Sequence, residues 1–497
     1  MGVKSFIGKL FAQSVVNKIQ KDAANALINQ EQIFYSLIKN ASQTVFGKDH
    51  QFQTIKNHTD FVNKVPIRDY ESLKPYIEKI KNGKLDILWK GKPVYFAKTS
   101  GTTSGVKYIP ITKESIKEHI LAARNALLCY ISETGNTQFT EGKMIFLTGS
   151  PELENINGIL VGRLSGIVNH HVPAYLTTNR TPTFLTNCIE DWEEKLEAIV
   201  NETINLNMTL ISGIPPWMQM YFDKLEEKSK QKIGDLYKNL SVIVHGGVAF
   251  EPYKKKLFDS IGRKIDTIET FPASEGFFAY QNSQKEEGLL LNINAGMFFE
   301  FVPVHEIFNE SPTRLTLADV KLNENYALII SSNAGLWAYS IGDTIKFVSL
   351  NPYKIVVTGR IKHYISAFGE HVIAEEVEHA LMQVAQKYSV AIVEFTVAPF
   401  ISNANEPSYH EWFVEFENVP TDMQQFSMEV NQALCEKNIY YNDLIKGSIL
   451  APLKMNAMPK NTFIQYMKSL GKLGGQNKVP RLSNDRTIAN ELSKFLV

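Results

Sequence analysis

Residues 98–110 are KTSGTTSGVKYIP, a run dense in serine, threonine and glycine that follows the apolar, strand-like segment 94–97. Its glycines, Gly101 and Gly105, allow the backbone to turn tightly and to approach a ligand closely. Hydroxyl and ammonium groups are supplied by Ser100, Thr102, Thr103, Ser104 and Lys107. Backbone N–H groups and hydroxyls can hold polyphosphate oxygens while the ammonium offsets their charge. The run lacks the Walker spacing of glycine, lysine and serine or threonine, and a surface turn is the alternative when it is considered alone.

The composition is that of a folded protein without a charge bias. The chain of 497 residues is 44% hydrophobic, which is enough for complete cores in about two to four domains. Lysine plus arginine and aspartate plus glutamate each total 52, and this balance argues against a nucleic-acid-binding protein. The three cysteines are far apart and predict neither a disulfide framework nor a zinc site.

The N-terminal residues 1–20 are mildly amphipathic but lack the long apolar core and cleavage site of a signal peptide. The myristoylation pattern requires serine or threonine at position 6, where this chain has Phe6. No stretch approaches the about 20 apolar residues of a membrane span. We therefore expect a soluble cytoplasmic protein.

Short apolar runs at 144–148, 208–212 and 240–245 alternate with amphipathic stretches at 187–205 and 216–238. Buried strands that alternate with helices predict an α/β core with a mainly parallel sheet.

The pattern becomes β-rich from about residue 288. Two strand-like runs, 289–293 and 297–302, flank Asn294-Ala295-Gly296, which predicts a hairpin turn between them. A domain boundary is predicted near Gly359-Arg360. The large domain would then be 1–358, with 288–358 as its β-rich subdomain, and 359–497 would form a small α+β domain.

Two further segments carry candidate ligand-binding residues, and the first of them follows an apolar, strand-like run. Paired glycines at 246 and 247 allow a flat ligand to approach the backbone where open α/β sheets bind ligands, although a simple turn is the alternative. In the segment 269–275, an aromatic, a small residue, a hydroxyl and a carboxylate could stack a base, bond a phosphate and hold a divalent cation. These residues are Phe271, Ala273, Ser274 and Glu275, and a solvated loop acid is the alternative for Glu275.

Two further motifs precede the predicted boundary. Asp343 follows Gly342 at the expected end of a strand, where its carboxylate can accept two hydrogen bonds from a ribose diol; a turn or cap aspartate is the alternative. Arg360, beside Gly359, suits both a hinge and a phosphate contact, and an ordinary linker arginine is its alternative.

The serine- and threonine-rich loop, the aromatic–serine–glutamate segment, the Gly-Asp and the Gly-Arg occur in an order that resembles that of the adenylate-forming superfamily. Within it, the chain most closely resembles the auxin-responsive Gretchen Hagen family of acyl-acid amido synthetases. The resemblance extends over nearly the whole chain and includes DFVNKVPIRDYESLKPYI at 60–77, FFEFVP at 298–303 and AGLWAYSIGD at 334–343. It implies a large adenylate-forming domain followed by a small, mobile C-terminal lid domain.

The resemblance implies a role for each matching position. Ser100, Thr102, Thr103 and Lys107 would grip the phosphates of ATP, and Glu275 would face Mg²⁺. The remaining nucleotide contacts would come from Gly246, Gly247, Phe271, Ala273, Ser274, Tyr339 and Asp343, with Arg360 at the hinge. Lys478 resembles the family's C-terminal lysine that reaches back into the active site, a task that suits a compact charge on a long stem. Many relatives have arginine before the tyrosine at 339, whereas this chain has Ala338, which leaves room for a changed substrate or impaired adenylation.

The implied reaction activates a carboxylic acid with ATP and Mg²⁺ and then transfers the acyl group to an amine, most plausibly of an amino acid. Leu164, Val168, Ile214 and Trp217 are candidates to line the acyl pocket, and plain core packing is their alternative. An acyl- or aryl-CoA ligase, or a nucleotide-binding scaffold that has lost catalysis, are the alternative functions.

Overall fold

The structure is a computed structural model of the chain. It describes residues 3–100, 106–171, 179–248, 250–361, 364–365, 372–401, 408–446, 450–473, 479–483 and 485–496. These residues form two compact units. The first unit lies within 1–248, 260–341 and 345–357, and the second lies within 249–259, 342–344 and 358–497.

Most of the described strands lie in the first unit. They are β1 (Tyr95–Ser100), β2 (Val106–Ile111), β3 (Lys143–Phe146), β4 (Glu154–Ile156), β5 (Ile159–Gly162), β6 (Arg180–Thr181), β7 (Met208–Gly213), β8 (Val242–Gly246), β9 (Asp266–Ala273), β10 (Gly276–Tyr280), β11 (Leu289–Leu291), β12 (Met297–Pro303) and β13 (Asn325–Ser332). Two long strands, β14 (Tyr339–Leu350) and β15 (Tyr353–Arg360), contribute residues to both units.

The central sheet has eleven strands in the order β12-β13-β14-β15-β11-β10-β9-β8-β7-β3-β6. The strands from β9 to β6 are parallel neighbours, whereas the pairs β12–β13, β15–β11, β11–β10 and β10–β9 are antiparallel. A second sheet has the order β2-β1-β5-β4. The predicted α/β fold class with a parallel core is therefore confirmed, since the apolar runs at 144–148, 208–212 and 240–245 correspond to β3, β7 and β8.

Helices cover the sheets of the first unit. They are α1 (Val3–Ala24), α2 (Ala26–Ala41), α3 (Val45–Asp49), α4 (His58–Lys64), α5 (Tyr70–Lys81), α6 (Lys113–Thr134), α7 (Leu164–Asn169), α8 (Phe184–Cys188), α9 (Trp192–Thr203), α10 (Pro215–Ser229) and α11 (Ile233–Leu236); α12 (Glu251–Ile261) contributes to both units. Side-chain caps fix several starts: Thr112 accepts a hydrogen bond from the Ser115 amide at the start of α6, and Asp191 accepts one from the Glu194 amide at the start of α9. Short 3₁₀ turns occur at Phe52–Thr54, Gln138–Thr140 and Val304–Glu306.

The second unit is a small α+β fold. Its described elements are β16 (Tyr364–Ile365), β17 (Val372–Ile373), α13 (Ala374–Lys387), β18 (Ile392–Phe400), β19 (Tyr409–Phe416), α14 (Met423–Lys437), α15 (Ile439–Lys446), β20 (Lys454–Met458), α16 (Thr462–Ser469), α17 (Thr487–Leu492) and a 3₁₀ turn at Ser493–Phe495. The strands β18, β19 and β20 form a sheet in that order. Buried residues such as Leu381, Trp412 and Phe426 form the core between this sheet and α13 and α14.

The predicted hairpin across Asn294-Ala295-Gly296 is wrong. The strand before it, β11, pairs with β10 and β15, whereas the strand after it, β12, pairs with β13. At this point the turn residues connect two strands that occupy separate positions in the same sheet and do not pair with each other. Asp343 also differs from its prediction, because it lies inside β14 and not at the end of a strand.

A buried ionic cluster joins β12 to the N-terminal helices. Glu300 is fully buried, and both of its oxygens accept hydrogen bonds from Arg314, at 2.9 and 2.7 Å. His58 Nε2 lies 2.7 Å from the same carboxylate. Burial by itself would raise the pKa of Glu300, but Arg314 and His58 outweigh burial, and the pKa is lowered. The Glu300 carboxylate is therefore compensated mainly by Arg314, which accounts for its lowered pKa in spite of burial.

We expect Arg314→Met to destabilise the protein by about 3–5 kcal/mol, because it leaves the Glu300 carboxylate buried without its main partner. Thermal unfolding followed by circular dichroism would show a clearly lower Tm. The matched control is Lys321→Met, which removes an exposed lysine paired with Glu324 and should leave Tm nearly unchanged. Equal Tm values for the two variants would contradict a structural role for the cluster.

Candidate functional site

The carboxyl ends of four parallel strands define the candidate site of the first unit. The strands β3, β7, β8 and β9 are adjacent and in register, and they end at Phe146, Gly213, Gly246 and Ala273. Open α/β sheets bind ligands outside this edge. The residues that the sequence singled out at 246–247 and 271–275 lie at neighbouring strands along it.

Gly246 allows β8 and β9 to approach each other very closely. A Cβ atom at this position would lie 2.3 Å from the backbone oxygen of Thr270, so any larger residue would push the strands apart. The Thr270 hydroxyl donates a hydrogen bond to the backbone oxygen of His245 at 3.0 Å, which closes the same junction. Gly247 follows with a φ of +82°, a conformation that favours glycine. The carboxyl end of β8 therefore carries two residues without side chains.

Glu275 lies in the turn between β9 and β10 and contacts the start of β14. The buried Tyr339 hydroxyl donates to Glu275 Oε1 at 3.4 Å. Burial, and then the neighbouring Glu275, raises the pKa of Tyr339 well above its ordinary value, so the phenol remains a donor. Ser274 is buried in the same turn, and the Phe271 ring packs edge-on against Phe278 at 5.1 Å. The structure thus brings these predicted residues together, with Phe271 largely buried.

Ala338 is held in a conformation and an environment that suit a small residue. It has a φ of +44° and no exposed surface, and its amide donates to the Ser331 hydroxyl at 2.9 Å. The backbone of Arg68 forms hydrogen bonds on both sides of Tyr339. The Arg68 amide donates to Ala338 O, and the Ser340 amide donates to Arg68 O. Arg68 was not predicted as a site residue, because its only sequence cue was its place in the family-like string at 60–77.

The serine- and threonine-rich loop connects β1 to β2. These strands are antiparallel, and their last pair is Ser100 with Val106. Thr102 and Thr103 lie outside the described residues, as does the side chain of Ser100. Lys107, on β2, places its ammonium 5.6 Å from the centre of the Tyr70 ring. The pairing of Ser100 with Val106 therefore holds together the two strand ends that the loop connects.

The predicted acyl-pocket residues lie on helices at the carboxyl ends of β3 and β7. Ile214 and Trp217 are at the start of α10, directly after β7, and the Trp217 ring lies 4.7 Å from that of Trp192. Leu164 and Val168 are on α7, which is tied to the segment after β3 by a hydrogen bond from the Gly149 amide to the Ser165 hydroxyl. A groove of about 440 Å³ lies elsewhere, between α6 and the start of β1, and none of these four residues lines it.

Asp343 and Arg360 meet in the second unit. Arg360 Nε lies 2.9 Å from Asp343 Oδ1, and the arginine is half exposed while the aspartate is largely buried. Two further bonds fix the pair: the Ile361 amide donates to Gly342 O at 2.8 Å, and the Thr358 and Thr344 hydroxyls are 2.9 Å apart. Residues from the Gly-Asp and Gly-Arg motifs, predicted separately, therefore form one local cluster.

Lys478 lies outside the described residues, but the segment that follows it, 479–483, is firmly anchored. The Thr396 hydroxyl donates to Pro480 O at 2.6 Å, and the Val397 amide donates to Arg481 O at 3.0 Å. The Arg481 side chain contacts Tyr253, Glu378 and Glu394. These partners lie about 90 to 230 residues away in sequence, so no local pattern could have identified them.

Three family models match the chain in sequence order. The GH3 family N-terminal domain matches residues 15–177, the GH3 family central domain matches 290–360, and the GH3 family C-terminal domain matches 375–487. Together they cover most of the chain. The chain belongs to the GH3 family. The resemblance stated from the sequence is thereby confirmed.

Curated relatives and solved structures agree with this GH3 assignment. The chain is 21% identical to the indole-3-acetic acid-amido synthetase GH3.3 of Arabidopsis thaliana, over 93% of this chain and 90% of that protein. It is 22% identical to the jasmonoyl–L-amino acid synthetase JAR4 of Nicotiana attenuata, over 66% and 67%. The GH3.15 acyl acid amido synthetase has the same fold, with a TM-score of 0.80 at 15% identity over 97% of this chain and 96% of that one. A 2-hydroxyisobutyryl-CoA ligase shares the fold at a TM-score of 0.61 and 12% identity, over 96% and 92%.

The described residues of this GH3 chain contain neither a membrane-spanning helix nor a metal-binding cluster. Among the described helices, none combines the length and the apolar character needed to cross a bilayer. The described histidine, cysteine, aspartate and glutamate residues form no group of three that could hold a metal ion.

We expect Arg481→Met to destabilise the second unit, and the deficit to grow with pH. Burial raises the pKa of Glu378 above its ordinary value of 4.5, and Arg481 opposes that shift. Removing the arginine raises this pKa further, so ionising the buried carboxyl above its ordinary pKa costs more in the variant. The Tm difference from the wild type should therefore be larger at pH 8 than at pH 5.

The control for this experiment is Lys460→Met, which removes an exposed lysine of the same unit. Its Tm should follow the wild type at both pH values. A constant or shrinking deficit for Arg481→Met as the pH rises would contradict the assigned coupling to Glu378.

Proposed function

We propose that this GH3 protein is an ATP-dependent acyl-acid amido synthetase of the cytoplasm. It activates a carboxylic acid as an acyl-adenylate and then transfers the acyl group to an amine, most plausibly that of an amino acid. Membership in the GH3 family supports this proposal, as do relatives named for indole-3-acetic acid and for jasmonoyl-amino acid synthesis. The observation that carries it is the assembly of Gly246, Glu275 and Tyr339 at one edge of the parallel sheet.

The residues at this edge suit a nucleotide. Gly246 and Gly247 carry no side chains at the end of β8, which suits the approach of a flat base or ribose to the backbone. We assign Phe271, Ala273 and Ser274 to the adenine and α-phosphate, and Glu275 to Mg²⁺. One carboxylate is a sufficient protein ligand when substrate phosphates and water complete the coordination. Bound Mg²⁺ would neutralise charge on the phosphates.

The other assigned roles follow the predicted motifs. We assign Asp343 to the ribose hydroxyls, with Arg360 beside it, and Lys107 with the hydroxyls of Ser100, Thr102 and Thr103 to the phosphates. Lys478 is assigned to the charge that develops at the α-phosphate. Leu164, Val168, Ile214 and Trp217 are assigned to the acyl group.

Neither half-reaction needs a protein nucleophile. In the first, a carboxylate oxygen of the acid attacks the α-phosphorus of ATP and pyrophosphate leaves. In the second, the amine nitrogen attacks the activated carbonyl carbon, AMP leaves and the nitrogen loses a proton. The protein contributes by holding the reactants in position and by stabilising developing negative charge with fixed donors.

ATP–pyrophosphate exchange across a panel of aryl, indolyl and fatty acids tests the first half-reaction. At least one acid should stimulate exchange, and Glu275→Ala should lower that exchange on the order of 10²-fold because a charge-stabilising ligand is lost. Glu287→Ala, which changes an exposed glutamate, is the control. Unaltered exchange in Glu275→Ala would overturn the Mg²⁺ assignment.

A second variant tests the lysine. Lys478→Ala should depress acyl-adenylate formation strongly while ATP binding, measured by titration calorimetry, is largely kept. Lys494→Ala, at an exposed lysine paired with Glu491, serves as control. Normal exchange in Lys478→Ala would show that the assignment of this lysine is wrong.

The same assay separates amide formation from thioester formation. With the stimulating acid in place, amino acids and coenzyme A are compared as acceptors. Product formed only with coenzyme A would make the protein an acyl-CoA ligase, and ATP binding without exchange for any acid would favour a nucleotide-binding scaffold.

A further inference from the structure

Lys195 is a buried cation without a carboxylate partner among the described residues. It lies in the first turn of α9 and is 3% exposed. Its ammonium donates to two backbone oxygens, that of Thr148 at 3.0 Å and that of Asn187 at 2.6 Å. Burial, and secondarily the positive charge of Arg163, lowers its pKa to about 8. A buried charge held only by neutral groups is costly unless an anion completes the site.

Arg163 is a second cation next to the same segment. It precedes α7 and is exposed to solvent. A Cβ atom built on Gly149 would lie 2.7 Å from Arg163 Cδ and 3.5 Å from Nη1. Because Lys195 is bonded to Thr148, the two cations flank consecutive residues of one backbone segment. No ion pair to Arg163 occurs within the described part of the chain.

Three buried residues that bond to Lys195 or share its helical turn carry side-chain polar atoms without a hydrogen-bond partner. Asn187 is 1% exposed, and neither its side-chain oxygen nor its nitrogen has a hydrogen-bond partner. The Thr148 hydroxyl and the Trp192 ring nitrogen are also buried and unpartnered. Buried polar groups are almost always satisfied in proteins. Three such residues beside an uncompensated lysine therefore indicate a polar ligand.

This cluster lies on the same sheet edge as the candidate nucleotide site. Thr148 follows β3, and one strand, β7, separates β3 from β8. Neighbouring strands are about 4.8 Å apart, so the cluster lies about 10 Å along the edge from Gly246. Trp192, of the cluster, packs against Trp217, of the assigned acyl pocket.

We propose that Arg163 and Lys195 bind a second carboxylate on the acyl substrate, so that the preferred acid is a dicarboxylic acid. One carboxylate would react near β8, and the other would pair with the two cations beyond β3. The separation of about 10 Å corresponds to an extended diacid of about eight to ten carbons. This inference rests on the proposed function.

Direct binding provides the first test, because it requires no catalysis. Titration calorimetry compares decanedioate with decanoate, an acid of equal length that lacks the second carboxylate. We expect the diacid to bind at least about tenfold more tightly, since charged hydrogen bonds contribute roughly that much. Arg163→Gln and Lys195→Met should each reduce the ratio of the two affinities about tenfold, whereas the exposed-residue control Lys238→Met should not. Arg163 is exposed, so its variant keeps the test valid if Lys195→Met unfolds.

Equal binding of the two acids by the wild type would overturn the inference, whatever the catalytic activity. Preferential diacid binding without ATP–pyrophosphate exchange would support the site and contradict the proposed function. In turnover assays, both variants could instead impair amide formation only with glycine and not with methylamine. That result would place the acceptor's carboxylate at the cations and overturn the assignment to the acyl substrate.

Discussion

The parallel register of β3, β7, β8 and β9 is the constraint on which the rest of the first unit depends. Backbone pairs such as Leu210 with Val242, and Val242 with Asp266, align the strands so that all four end at one edge. Each end then positions a different segment of the proposed site: Thr148 after β3, Ile214 after β7, Gly246 on β8 and Glu275 after β9. A register shift of one strand would separate groups that are far apart in sequence and to which we assign a common active site.

The second constraint is charge compensation. Some charged clusters contain their own counter-charge, and others do not. Glu300 with Arg314, and Arg481 with Glu378 and Glu394, are compensated pairs that fasten elements together. Lys195 and Arg163 lack such compensation among the described residues, although both occupy the functional edge. We therefore distinguish the structural ion pairs from the proposed ligand-binding site by whether the described residues supply the counter-charge.

Local sequence patterns predicted the strands of the fold better than they predicted contacts between residues that are distant in sequence. The apolar runs of β7 and β8 were recognisable because a buried parallel strand is a short continuous hydrophobic segment. The separate partners of β11 and β12 were not recognisable, because hydrogen bonds to distant strands override the turn-like residues between these two strands. The glycines and Glu275 belong to motifs, whereas Arg68 and Lys195 in the first unit and Arg481 in the second unit are single cations. Their importance depends on partners that only folding brings near.

The central claim is that this GH3 protein activates a carboxylic acid by adenylation, and isotope transfer tests it most directly. An acid that supports turnover is labelled with ¹⁸O in its carboxylate, and the AMP produced with an amine acceptor is analysed by mass spectrometry. Attack of the carboxylate on the α-phosphorus predicts one ¹⁸O atom in AMP for each amide formed. Unlabelled AMP, or label in inorganic phosphate with release of ADP, would contradict the account.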